Sequence, residues 1–145
     1  MSSEIGNGAR VVGLFVTPKR HQPVAALEAA RALCDHGLEG DAHARPGSER
    51  QLLLMDTETL ALLELAPGIL KENVTTTGLD LYALPAGQQL RVGEAVLELT
   101  MLCRPCAEMN DIRPGLRDEL VGRRGYLAKV VTGGDIRLGS AIEPC

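Results

Sequence analysis

Two cysteines separated by an arginine and a proline are the residues with the clearest chemical potential in this sequence. Cys103-Arg104-Pro105-Cys106 follows the apolar run AVLELTML at 95–102, so the pair lies where a strand is predicted to end. The neighbouring arginine favours the thiolate, which is the form of cysteine that attacks electrophiles and binds metals. The pattern alone leaves three alternatives open: thiols without a function, redox or sulfur chemistry, and half of a zinc site.

A zinc site would need two more ligands, and Cys34 and His36 are the best candidates. Against this alternative, the Cys-x-His spacing is uncommon among zinc sites, and a chain of 145 residues can bury a core without a metal. A thioredoxin-like dithiol is disfavoured because no βαβ unit is visible around the cysteines. A structural zinc bound by Cys34, His36, Cys103 and Cys106 therefore remains an alternative.

Two polar segments could contact an anionic or polar ligand. In GLEGDAHARPG at 37–47, Asp41 could hold the loop, and His43 and Arg45 would face one side of an extended segment. In ENVTTTG at 72–78, the threonines favour a strand and offer hydroxyl groups. The alternatives are a solvated loop and a surface strand edge. The pair Arg123-Arg124 is interpreted as solvated surface.

Composition excludes several classes of function. The chain has 15 Lys and Arg against 19 Asp and Glu, with two Tyr, one Phe and no Trp, which argues against nucleic-acid partners. No apolar run approaches the length of a membrane span, and the start MSSEIGNGAR lacks the features of a secretory signal. We therefore expect a cytoplasmic protein whose four cysteines are not structural disulfides.

Glycine and proline divide the chain into short apolar stretches, which predicts a mostly β fold with a few short helices. A single domain is expected at 10–145, after a flexible N-terminus at 1–9. Segment 24–34 is ambiguous because its alanine-rich composition favours a helix. Helices are predicted after Asp56 and Pro114, and strands at 10–16, 51–55, 88–92, 95–102, 125–131, 135–138 and 140–143.

Taken together, these segments resemble the MOSC domain, which is named after the C-terminal part of molybdenum-cofactor sulfurase. The resemblance extends from residue 10 to 143, in the order and spacing of small stand-alone members. One departure is Leu138-Gly139-Ser140, where the family usually has Gly-Asp, and it predicts the loss of a polar contact or cap. The matching segments are GLEGDAHA at 37–44, Arg50 before QLLLM, ENVTTTGLDL at 72–81, LPAGQQLRVGEAVLELT at 84–100, Pro105-Cys106 and GYLAKVVTGGDIRLGSAIE at 125–143.

The resemblance implies a distorted closed β-barrel and favours extended structure over a helix at 24–34. It also implies a role in handling the molybdenum cofactor or activated sulfur. The key cysteine of the family corresponds to Cys106, as a molybdenum ligand or a persulfide carrier. We expect the cofactor phosphate to be held by Arg45, Arg50 and Arg104, and the pterin edge by Asn73, Thr75 and Thr76.

The resemblance leaves the biochemical role open between an enzyme and a carrier. The expected partners are the molybdenum cofactor or a protein that donates or accepts sulfur, and the module could deliver either one without turnover. Family reductases have an extra N-terminal β domain that is not seen here, so their activity is not carried over. Large members add a cysteine-desulfurase-like domain with pyridoxal phosphate. This chain is too short to include it, so that cofactor is not expected on Lys19, Lys71 or Lys129.

Overall fold

A computed structural model describes residues 8–145, which form eleven strands and three short α-helices. The mostly β prediction is confirmed. The predicted flexible N-terminus falls mainly on residues 1–7, which lie outside the described residues, whereas the Ala9 carbonyl accepts a hydrogen bond from the Ile142 amide. The elements are β1 (Arg10–Val16), β2 (Ala25–Ala26), β3 (Ala29–Leu33), β4 (Gly37–Leu38), β5 (Leu52–Asp56), α1 (Thr57–Leu62), β6 (Val74–Thr77), β7 (Gln89–Val92), β8 (Ala95–Leu102), α2 (Met109–Ile112), α3 (Leu116–Glu119), β9 (Tyr126–Thr132), β10 (Gly134–Arg137) and β11 (Ile142–Pro144).

One strongly curled sheet forms the body of the molecule, with strand order β11-β7-β8-β9-β5-β6-β1-β2. Its two ends meet where β1 begins. Arg10 forms an antiparallel bridge with Ala141, and the Val11 amide donates to the carbonyl of Ser140 at 2.9 Å while the Val11 carbonyl accepts from Gly139. These bonds occupy backbone groups that would otherwise form an open edge. The expected barrel-like fold is therefore confirmed, as a curled sheet whose ends touch.

Two apolar cores lie on opposite sides of β5. The main core fills the inside of the curled sheet with fully buried side chains such as Leu14, Leu54 and Leu97. A smaller core packs the three helices against the outside of the sheet. Its members are Met55, Leu60, Leu63, Leu70, Met109, Leu116 and Leu120. Because each buried leucine contributes about 1.5–3 kcal/mol, the smaller core is sufficient to anchor α3 and the chain that follows it.

Segment 24–34 is extended, as the resemblance implies, so the helix favoured by its alanine-rich composition is wrong. It contains β2, which pairs with β1, and β3, which pairs with β10 and β4. Alanine in place of a typical strand residue favours a helix by only about 0.5 kcal/mol per residue. The backbone hydrogen bonds to neighbouring strands and the burial of Ala30 and Ala32 outweigh that preference.

The predicted loss of a polar contact at residues 138–140 is also wrong. The Ser140 hydroxyl oxygen accepts a hydrogen bond from the Arg137 amide at 2.9 Å. The Ser140 amide donates in return to the Arg137 carbonyl, also at 2.9 Å. The serine therefore caps the turn between β10 and β11 with its own side chain.

A half-buried tyrosine joins three parts of the fold. The Tyr82 hydroxyl donates to Asp56 Oδ1 at 2.7 Å and accepts from the Gly125 amide at 3.1 Å. Asp56 is the N-cap of α1, where its other oxygen accepts from the amide and the hydroxyl of Thr59. Burial, together with the Asp56 carboxylate, raises the pKa of Tyr82 far above its ordinary value of 10.0.

We expect Tyr82→Phe to lower the free energy of unfolding at neutral pH by about 1–3 kcal/mol, because Asp56 and Gly125 lose a shared partner. Because folding raises this pKa, the folded chain keeps a proton that the unfolded chain releases above about pH 10. Below that pH the stabilisation is fully present, and above it stability falls by up to about 1.4 kcal/mol per pH unit. Urea unfolding across this range should therefore show a shallower alkaline loss in Tyr82→Phe. Tyr126→Phe is the control, and equal slopes in wild type and Tyr82→Phe would contradict the assignment.

Candidate functional site

Two cavities meet at the end of β8. The first cavity has a volume of about 300 Å³ and the second of about 1000 Å³, and both are lined by Arg50 and Cys103. The Cys103 amide donates to the Gly125 carbonyl at 2.9 Å, which extends the β8–β9 pairing by one residue. The strand end predicted to carry chemistry therefore borders both cavities and has a fixed backbone.

The first cavity is strongly cationic. No Asp or Glu is found among its lining residues in the described part of the chain. In a protein with a net charge of −4, this is a local reversal of sign, which attracts anions. The cationic side chains that line it are Arg20, Arg45, Arg50, Lys71 and Arg124.

Arg124 is the most unusual of these cations because it is buried, with 8% of its surface exposed. Its Nη2 donates to the Leu70 carbonyl at 2.9 Å. Its Nε and Nη1 are buried and have no hydrogen-bond partner among residues 8–145. A buried charge without a full set of partners costs several kcal/mol. The interpretation of this residue as solvated surface is therefore wrong, and two of its nitrogens lack an acceptor in a residue that lines the cavity.

The position of Arg124 follows from a close backbone approach at the next residue. Gly125 has a φ of 100°, and a Cβ at this position would lie 2.5 Å from the Leu54 carbonyl oxygen. Only glycine allows the chain to pass β5 at this distance. On the other side, α3 is held by Leu116 in the smaller core. The arginine between these two anchors is thereby directed to the Leu70 carbonyl.

Loop 37–47 supplies two of the predicted residues to the first cavity. His43 and Arg45 both line it, although the chain makes a turn at 42–43 instead of the expected extended segment. Asp41 is buried and its Oδ1 accepts from the Thr17 amide at 2.9 Å, so it holds the loop as expected. The same oxygen lies 3.9 Å from His43 Nδ1.

Asn73 and Lys71 enter the first cavity from the chain before β6. Both ends of the Asn73 amide bind backbone: Oδ1 accepts from the Leu53 amide at 3.0 Å and Nδ2 donates to the Phe15 carbonyl at 3.1 Å. Asn73 thus joins β5 to β1 and also borders the cavity. Lys71 has a φ of 60°, a left-handed conformation that costs a non-glycine residue about 1 kcal/mol or more.

The two threonines assigned to the pterin edge lie elsewhere. Thr75 and Thr76 are fully buried in β6, and neither lines either cavity. The Thr75 hydroxyl donates to Glu72 Oε2, which also accepts from the Gly68 amide at 2.8 Å. These contacts stabilise the turn before β6. The threonine run did not reveal this burial because it depends on strands that cover β6 on both sides.

The two central cysteines occupy different positions. Cys103 is half-buried and borders both cavities, whereas Cys106 is exposed on the segment between β8 and α2 and borders neither. Arg104 is exposed and lines the second cavity. The structure thus brings Arg45, Arg50 and Asn73 together with Cys103. It leaves Cys106 on the surface, three residues after Cys103 in the sequence.

The structural-zinc alternative is not borne out. In residues 8–145, no three His, Cys, Asp or Glu side chains form a group that could hold a metal ion. Cys34 instead donates to the Val131 carbonyl, with its sulfur 3.3 Å from the oxygen. Cys34, His36, Cys103 and Cys106 are therefore not a ligand set. All four cysteines of the sequence are free thiols.

Comparison with known proteins identifies the family. The signature of the MOSC domain matches residues 40–143. The chain belongs to the MOSC domain family. This family is associated with molybdenum-cofactor function at the family level, and the matched range of this MOSC domain includes four of the five cations that line the first cavity. None of the curated proteins gives a significant match.

Solved structures show that the fold is shared. The YuaD protein of Bacillus subtilis superposes with a TM-score of 0.78 at 20% identity, covering 94% of both chains. YiiM of Geobacillus stearothermophilus gives 0.75 at 16% identity, covering 94% of this chain and 75% of its own. YiiM of Escherichia coli gives 0.70 at 22% identity, with coverages of 94% and 69%. At these identities the similarity concerns the fold. No α-helix in residues 8–145 has the length and apolar character needed to cross a bilayer.

We expect inorganic phosphate to raise the melting temperature of this MOSC domain, because an anion beside Arg124 would offset the cost of its buried charge. Phosphate at 100 times the dissociation constant of the site adds about 2.7 kcal/mol to the free energy of unfolding. Arg124→Gln should remove most of this gain. Arg123→Gln is the matched control, since that side chain donates to the Glu119 carbonyl at 2.7 Å instead. Sodium chloride at equal ionic strength corrects for screening, and an undiminished phosphate response in Arg124→Gln would contradict the site.

Proposed function

We propose that this MOSC domain binds the molybdenum cofactor or carries activated sulfur, with the Cys106 thiolate as the reacting group. The observation that carries the proposal is the buried guanidinium of Arg124, with only one of its three nitrogens hydrogen-bonded, in a cavity with four further cations. Such a cavity fits the phosphate of the cofactor. When bound, the cofactor would supply a molybdenum centre able to exchange electrons and oxygen or sulfur atoms.

The first cavity would hold the phosphate through charge-assisted hydrogen bonds. Arg124 has two nitrogens, Nε and Nη1, without a hydrogen-bond partner among residues 8–145, and Arg45 and Arg50 border the same space. Guanidinium groups bind phosphate oxygens in pairs, which fixes orientation as well as position. Asn73 borders the cavity beside them and would face the polar part of the ligand.

Cys106 would supply the soft thiolate that either chemistry needs. In sulfur transfer, its thiolate would attack the outer sulfur of a persulfide on a donor protein. A sulfur–sulfur bond would form at Cys106 while the donor's bond breaks, and the donor would leave as a thiolate. This exchange needs no added oxidant or reductant. Reduced thiols of this kind suit the cytoplasm, which we propose as its compartment.

A carrier without turnover is the second candidate, and the exposure of Cys106 favours it. The thiol lies on the surface, outside both cavities, where a partner protein could reach it directly. A carrier of this kind would deliver sulfur or cofactor to an acceptor enzyme. Stoichiometric loading without turnover would distinguish this role from catalysis.

We expect Cys106→Ser to lose most of the sulfane sulfur that wild type retains after incubation with a persulfide donor, or most of its bound molybdenum. The reason is that serine offers no thiolate at the same position. Mass spectrometry of the intact protein and elemental analysis measure the two quantities. Thermal unfolding should be nearly unchanged, since this side chain is exposed.

Cys103→Ser is the matched variant for the same experiment, because Cys103 is three residues away and borders both cavities. Its loading should remain close to that of wild type. If Cys103→Ser loses the sulfur or molybdenum and Cys106→Ser keeps it, the reacting thiol is Cys103. If both variants load as wild type does, thiolate chemistry at this segment is excluded.

A further inference from the structure

The second cavity combines arginines with apolar side chains that are themselves exposed. It is an open groove between the end of β8, the segment that follows it, and α3 with the turn after it. Its volume of about 1000 Å³ lies at the upper end of the range for small-molecule sites. It meets the cationic cavity at Arg50 and Cys103.

Apolar side chains form an exposed wall in this groove. Met101, Leu102 and Val121 all line it, and they are exposed by 39%, 44% and 69%. They are three of the eight large apolar residues that are exposed in the described part of the chain. Their neighbours Leu116 and Leu120 are fully buried. α3 and the turn after it therefore cover the smaller core on one side, and Val121 in that turn lines the groove. Clustered apolar exposure of this kind is typical of a binding surface.

The same groove carries an excess of positive charge. Arg50, Arg104 and Arg117 line it, with Asp118 as its one acidic lining residue among those described. No ion pair within residues 8–145 involves any of these three arginines. Their guanidinium groups are therefore free to pair with a ligand, and the apolar wall lies beside them.

We propose that this groove binds an amphipathic acid, that is, a small molecule with an apolar body and one carboxylate. The apolar body would cover Met101, Leu102 and Val121, and the carboxylate would pair with Arg104 and Arg117. The binding itself goes beyond the proposed function. The interpretation of such a ligand as the substrate rests on the proposed function, because the groove meets the cofactor cavity at Cys103.

Titration of the full chain with decanoate, followed by calorimetry and NMR, tests the proposal. We expect saturable binding of one molecule per chain, and binding of decanol weaker by about tenfold or more because it lacks the charge. Arg117→Gln should weaken decanoate binding by about tenfold without affecting decanol. Val121→Glu should weaken both probes, since it places a charge on the apolar wall.

Matched controls separate the groove from the general surface. Leu62→Glu changes an apolar residue on α1 with the same 69% exposure as Val121, and Arg91→Gln changes an exposed arginine on β7. Both should bind decanoate as wild type does. Equal binding of decanoate and decanol, or equal losses in the control variants, would overturn the proposal. The rise in melting temperature caused by phosphate is measured in parallel. If Arg124→Gln loses that rise and still binds decanoate, the groove binds its ligand independently of the cofactor cavity.

Discussion

The close approach of Gly125 to β5 is the constraint on which the site depends. Its backbone passes so near the Leu54 carbonyl that no side chain fits between them. Its amide binds Tyr82 and its carbonyl binds the Cys103 amide. One residue thus fixes the end of β8, the position of Tyr82 against Asp56, which is the N-cap of α1, and the direction in which Arg124 leaves the sheet.

Charge in this protein is distributed unevenly. The chain as a whole is acidic, yet the first cavity has five cationic side chains and no acidic one among its lining residues in the described part of the chain. Most of these cations are surrounded by water when no ligand is bound, and their charges cost little. The buried guanidinium of Arg124 is different, because burial removes its water and only one of its N–H groups has a protein partner. An anion would complete that coordination.

The two cavities differ in how their charge and apolar surface are arranged. The first has five cations beside four leucines and no acidic lining residue among those described, whereas the second combines cations with exposed Met101, Leu102 and Val121. Cys103 lies between them, and Cys106 lies on the surface three residues further on. This arrangement places two thiols at different distances from the cavities, so the structure provides an internal comparison for any chemistry at this segment.

The sequence by itself determined most of the β fold, the turn chemistry and the family. Strands such as 10–16 and 95–102 are recognisable from local pattern, because alternation and the glycine-rich turns between strands are local properties. His43 and Arg45 line the same cavity, but they do so across a turn at 42–43 rather than along the extended segment that the spacing predicts. The resemblance already favoured extended structure at 24–34, whereas only the tertiary structure decided that Thr75 and Thr76 are buried and that Arg124 rather than Arg123 is enclosed. Those outcomes depend on which strands and helices pack together, and a buried charge or hydroxyl has no signature in its own neighbours along the chain.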